Sequence, residues 1–221
     1  MAVLGAAGLG ACAVLAACSP VQLGAAAIVG NQRITVSSLD TQVSNLQTAA
    51  KPYGNAIQMT AAQQPASVLS WLIRFAVMDQ VAATNGISVT PAQAKSALDA
   101  LNAAAPQYGV SNAKELLVAS GVPPQLFSQV GQWQAQTMAY ELKVNGGKQP
   151  ASQAEATNLN NAVNKAECSA AHSLNIQVSP QFGRFDYASA TFGVVPAADT
   201  LSRPAGTPTP ASTEGLSTAA C

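Results

Sequence analysis

The chain has 221 residues, enough for one ordinary domain with flanking segments. Hydrophobic residues make up 48% of it, but aromatics only 5% and charged residues only 9%. Ten basic and ten acidic side chains are scattered without a run of Lys and Arg, so a phosphate-tracking surface has nothing to be built from and nucleic acid is not an expected partner. Much of the apolar content is Ala, which favours helix and close helix approach but buries little area per residue. The core is therefore expected to lean on Trp71, Phe75, Trp133 and Tyr140, with scattered Leu, Ile and Val.

Residues 1–17, MAVLGAAGLGACAVLAA, carry no charge. The run is short and rich in Ala and Gly for a permanent membrane span, and it reads as the apolar core of a secretory signal. It ends in Leu15-Ala16-Ala17-Cys18, which resembles the lipobox of bacterial lipoproteins. That resemblance implies cleavage before Cys18 and a diacylglycerol thioether on its sulfur, with two or more acyl chains giving stable anchoring. No Lys or Arg precedes the run, a departure from export signals, and Leu9-Gly10-Ala11-Cys12 fits the same pattern after a much shorter apolar stretch. Residues 1–17 are expected to be a signal peptide and 18–25 a lipid tether, which would place the mature chain at the outer face of the cytoplasmic membrane. Cys168 and Cys221 then remain. A disulfide between them is permitted outside the cytoplasm, but the expectation is two unpaired thiols, because Cys221 ends a stretch that composition marks as disordered.

Ala26 to Thr35 gives an apolar run, a Gly30-Asn31 turn signal and Ile34, which predicts a short strand that turns and enters a helix. Ser37 with Asp40 resembles a capping box, and Leu39, Val43, Leu46 and Ala50 follow at helical spacing. A helix over 38–50 is predicted, then a loop over 51–65. Residues 66–84 are the most apolar of the mature chain, interrupted only by Ser70, Arg74 and Asp79. A helix apolar nearly all round belongs at the centre of a bundle, and Arg74 and Asp79 argue against a membrane span.

Asn85-Gly86 closes that helix. Thr90-Pro91-Ala92-Gln93 opens the next with a capping residue, Pro at the first position and Gln at the third. Its expected stripe is Ala94, Leu98, Leu101 and Ala105. Ser111 is expected to cap a shorter helix that stops at Gly121. Pro123-Pro124 starts a long helix with Leu126, Val130, Trp133, Thr137, Tyr140 and Val144 on one face, ended by Asn145-Gly146-Gly147. Ser152-Gln153-Ala154-Glu155 is a capping box for a last helix through Leu159, Val163, Ala166 and Ala170. From Leu174 to Val178 the period changes to two, predicting a half-buried strand. Residues 191–221, rich in Pro, Thr, Ser, Ala and Gly from Pro196 on, are expected to be a disordered tail.

Reactive groups are sparse. His172, the only histidine, lies one helical turn after Cys168, but a Cys/His catalyst needs an orienting group and oxyanion donors, and a structural zinc needs four ligands. Glu167 is the only other candidate nearby, and it falls elsewhere on the helix. The expectation is a helix-end His favoured by the dipole beside a small buried Cys. Gly146-Gly147-Lys148 lacks the rest of a phosphate loop and reads as a helix stop. Arg184 and Asp186 read as a local ion pair or a turn, and Arg74 is expected to pair with a carboxylate or snorkel to the surface. No catalytic, cofactor-binding or metal residue is predicted, and the chain is not expected to be an enzyme.

The order of elements carries a resemblance. A strand with Val29-Gly30-Asn31 and Ile34-Thr35 leads into a helix. A very apolar helix follows, then Asn85-Gly86-Ile87, Val89-Thr90 opening the next. A long helix is led by Pro123-Pro124-Gln125-Leu126-Phe127, and a last helix feeds a strand followed by Pro180-Gln181-Phe182-Gly183-Arg184-Phe185-Asp186. Over residues 26–190 this resembles the SurA N-terminal domain, the helical chaperone module found beside parvulin-type prolyl isomerase domains, in its actinobacterial lipoprotein form. The resemblance implies a mainly α fold: an orthogonal bundle of about six helices with a small β element pairing the N- and C-terminal strands. A prolyl isomerase domain would need on the order of 90–100 further residues of strands and helices, and no block of that kind is left once the helices are assigned. The resemblance implies a membrane-anchored chaperone-like lipoprotein that binds exposed segments of unfolded or exported polypeptides. The alternative is a structural or scaffold envelope lipoprotein that contacts one specific partner.

Overall fold

The computed structural model describes residues 23–56, 59–188 and 192–196. Among these residues the fold is mainly α, with two small antiparallel sheets. The strand β1 (Ala25–Val29) pairs with β2 (Gln32–Thr35), and α1 (Val36–Ala50) follows directly. After a 3-10 turn over Lys51–Ala56 come α2 (Gln64–Thr84), α3 (Pro91–Ala104), α4 (Ala113–Ala119), α5 (Phe127–Val144) and α6 (Gln153–Ser173). The chain returns as β3 (Gln177–Val178), then β4 (Arg184–Asp186) and β5 (Gly193–Val195).

The first and last parts of the helical core are joined as the resemblance implied. Strand order is β2-β1-β3, with Ile28 opposite Gln177 and Ala27 opposite Val178. The hairpin turn has a positive φ at Gly30 (+59°) and not at Asn31, the II′ arrangement that suits twisted strands. Gly30 is fixed twice over. Its N–H donates to Leu174 O at 2.7 Å, and a Cβ there would sit 2.8 Å from Leu174 Cδ2.

The predicted strand at Leu174 to Val178 is shorter than its alternation suggests. The helix α6 runs to Ser173 with Leu174 as its cap, and Asn175 leaves it through a left-handed conformation (φ +47°), so little chain remains to extend. Ile176 is nevertheless buried.

Helix α2 is the interior rod. It has the length and composition of a membrane span, but nine of its residues are buried against neighbouring elements. Val68, Leu69, Ile73, Val77 and Met78 are fully enclosed by Leu39 and Leu46 of α1, Ala26, Ala27 and Val29 of β1, and Val163, Ala170 and Ala171 of α6. A second cluster joins Phe75 to Leu117, Val122, Leu126 and Val130 of the α4–α5 region. The aromatic residues expected to dominate the core sit at its margins: only Phe75 is buried, while Trp71, Trp133 and Tyr140 are half-buried. The indole N–H groups account for part of this, since each Trp has to reach a polar partner. Trp71 Nε1 donates to Ser120 O and Trp133 Nε1 to Glu167 Oε1.

Helix starts differ from prediction by one to three residues, the largest difference at α5, where Pro124–Leu126 form a 3-10 turn before the helix. Thr35, not Ser37, caps α1 by accepting from Ser38 N, and Asn112, not Ser111, caps α4 by accepting from Glu115 N. Thr90 and Gln93 form the full capping box predicted for α3. At α6, Ser152 accepts from Glu155 N, but the Glu155 carboxylate reaches back one residue further, to Ala151 N.

Candidate functional site

Helices α3 and α5 lie against each other along small residues. At Gly131 of α5 an added Cβ would meet Ala94 O at 2.5 Å, so glycine sets how near the two backbones come. Small side chains continue along the contact and leave a groove of about 350 Å³ between the helices, lined by Ala97, Ala100, Ala135, Met138, Ala139 and Leu142. Met138 is 44% exposed, an unusual position for a large apolar side chain, and its flexible thioether can shape itself to different apolar partners. The lining contains no charged residue. Such a surface can take up an apolar side chain without fixing its shape. On the opposite side of the pair a recess of about 420 Å³ is bounded by Val89, Pro91, Ala94 and Leu98, with Lys95 at its edge.

A third recess, about 370 Å³, is polar and lies between β2, α1, α2 and α5. Asp79 sits in it, and its Oδ1 accepts from Gln132 Nε2 at 3.2 Å and from Gln136 Nε2 at 2.9 Å. The carboxylate thus ties α2 to α5, which explains a charge on an otherwise apolar helix.

Arg74, the other charge on α2, is half-buried, and among the described residues no carboxylate lies within ion-pair distance of it. It lies over the Trp71 ring at 5.3 Å and donates from Nη2 to Phe192 O at 3.0 Å. Ser70, one turn earlier, donates to Ala66 O and accepts from Val194 N at 2.8 Å. Glu167 is buried nearby, 7% exposed, with Trp133 Nε1 at 3.3 Å from Oε1. Burial pushes its carboxyl above the usual carboxylate range, while the charge of Arg74 and the Trp133 hydrogen bond act the other way.

The reactive residues singled out in sequence do not assemble into a catalytic centre. His172 is exposed in the last turn of α6 and stacks on Tyr187 with ring centres 4.3 Å apart. Cys168 is disulfide-bonded, which corrects the expectation of an unpaired thiol; Cys12, Cys18 and Cys221 lie outside the described residues. Its neighbour Glu167 faces α5 and Trp133 instead. Among the described residues no group of three or more His, Cys, Asp or Glu could hold a metal ion. Arg184 and Asp186 make the expected local contact, at 3.9 Å. Gly146-Gly147-Lys148 is a helix stop, with Gly147 N donating to Leu142 O.

Sequence reasoning missed Met138 and Ser70. An exposed Met on a helix packed beside the Ala-rich α3 carries a faint signal for a groove. Ser70 carries none, because its partner lies 124 residues away. The lipidation candidate Cys18 and most of the expected tail lie outside the described residues.

Residues 7–130 match the family model described as the SurA-like N-terminal domain. No curated protein and no solved structure matches the chain.

Proposed function

Because the chain belongs to the SurA-like N-terminal domain family, associated with chaperone-like periplasmic proteins, we propose that it is a membrane-anchored extracytoplasmic holdase for exposed apolar segments of exported polypeptides. The observation that carries this reading is the uncharged groove between α3 and α5 with Met138 exposed on its wall. An unfolded chain offers scattered Leu, Val and aromatic side chains, and a preformed apolar groove takes them at small entropic cost. The anchor would be Cys18, lipidated after removal of residues 1–17. The family match begins at residue 7, inside that apolar leader. A disulfide at Cys168 accords with an oxidising compartment. Mass spectrometry of non-reduced digests would identify the cysteine that Cys168 is joined to.

The test of function is suppression of aggregation of an unfolding client by the soluble form beginning at Ser19. Suppression near stoichiometric protein is expected, and Met138→Glu should weaken it at least about tenfold by placing a charge in the groove. No suppression at excess protein would remove the holdase reading. A single stoichiometric partner in a pull-down, without a spread of unfolded clients, would favour the scaffold alternative. Mass spectrometry of the membrane fraction showing Cys18 unmodified would remove the anchor.

A further inference from the structure

The strand β5 is held on α2 through its backbone. Phe192 C=O accepts from Arg74 Nη2 and Val194 N–H donates to Ser70 Oγ. Phe192 immediately precedes β5, with its N–H donating to Ala188 O, and its C=O and the Val194 N–H two residues on continue the edge that faces away from β4. The residue spacings are similar: four residues of helix rise about 6 Å, and two strand residues repeat at about 6.6 Å. Ser70 and Arg74 thus stand where a neighbouring strand would present a hydrogen-bond acceptor and a donor.

Both side chains are set for this task. Ser70 Oγ is oriented by its bond to Ala66 O at 2.7 Å, which leaves a lone pair for the strand. Arg74 is laid on Trp71, and no carboxylate within ion-pair distance competes for it among the described residues. Beneath this pair, Phe192 and Val194 are buried on the same face of the strand, and Phe192 meets Phe185 edge-on with ring centres 5.4 Å apart.

We propose that Ser70 and Arg74 form a clamp for extended polypeptide, and that β5 fills it in cis. Every peptide carries a C=O and an N–H at this spacing. The clamp therefore selects an extended conformation, and the pocket beneath selects apolar side chains at alternate positions. The ligand class is an extended segment with that pattern, entering as a strand beside β4 in place of β5. The inference rests on the polypeptide-binding reading and adds a site distinct from the α3–α5 groove.

The test uses the full chain and a fluorescent peptide with the sequence of residues 188–196. Cis occupancy lowers the competent fraction, so Phe192→Ser with Val194→Ser, which loosens β5, should tighten peptide binding at least about tenfold over the native chain. Adding Ser70→Ala and Arg74→Ala should cancel the gain. The milder Val194→Ala, should the double replacement not fold, is expected to give the same ordering at smaller amplitude. A folded, loosened variant with no gain in affinity, or a gain that survives loss of Ser70 and Arg74, overturns the clamp. Aggregation assays on the same native preparation separate the two readings: suppression without clamp-dependent binding leaves the groove and removes the clamp. Clamp-dependent binding without suppression supports the clamp and removes the holdase.

Discussion

Glu167 accepts from Trp133 and has the cation Arg74 nearby, and both are outweighed by its burial. With its carboxyl raised above the ordinary range, the folded chain holds a proton that the unfolded chain has already released. The stability this group contributes is then fully present below the ordinary carboxylate range and is lost as pH rises through the raised value. Urea denaturation followed from the ordinary carboxylate range upward should show that decline, and Glu167→Gln, which can still accept from Trp133, should flatten it. Equal slopes in the two proteins would remove Glu167 as the cause. Arg74→Met tests the other side of this cluster. It leaves the Phe192 carbonyl without its donor, and a loss of about 1–3 kcal/mol is expected from the same denaturation measurement. At Gly30, alanine must adopt a left-handed conformation and also displace Leu174, so Gly30→Ala should cost at least about 1–2 kcal/mol. An unchanged urea midpoint would mean that the hairpin re-forms with another turn.

The helices differ in how firmly their ends are specified. The Thr90 box closes two orphan groups of α3 at once, and Thr90→Ala is expected to cost about 1 kcal/mol, read as a lowered thermal midpoint. The six α-helices among the described residues were legible in the sequence, because caps, prolines and apolar spacing are local signals. The N-terminal turn was legible for the same reason, since Gly30-Asn31 between apolar residues needs no distant partner. What escaped were features created by return of the chain. The strand β5 is three residues long and stops before Pro196, too short to show a period. The roles of Ser70 and Arg74 depend on partners 124 and 118 residues away. The margin positions of Trp71 and Trp133 escaped too, because hydrophobicity argues for depth while an indole N–H argues for a polar neighbour. Of the candidate site, the charges on α2 drew notice as anomalies, but the groove beside Met138 arises only when α3 and α5 meet at Gly131.

Among the described residues, the apolar bulk lies around α2 and the adaptable surface lies on the outer side of the α3–α5 contact. Function and stability should then separate. Met138→Glu, at a position 44% exposed, is expected to leave the thermal midpoint nearly unchanged while it weakens client capture. A variant that lost both together would place Met138 in the core's support. The antiparallel pairing of β1 with β3 has a mechanical consequence. The start of β1 and the end of β3 lie at the same end of the ladder, with Ser179 N–H bonded to Ala26 O. A load that draws the two termini apart therefore strains one rung at a time instead of shearing all rungs together. In an optical trap, once β5 lets go, the sheet should peel in a small early step at low force, with the helical body yielding later and more abruptly.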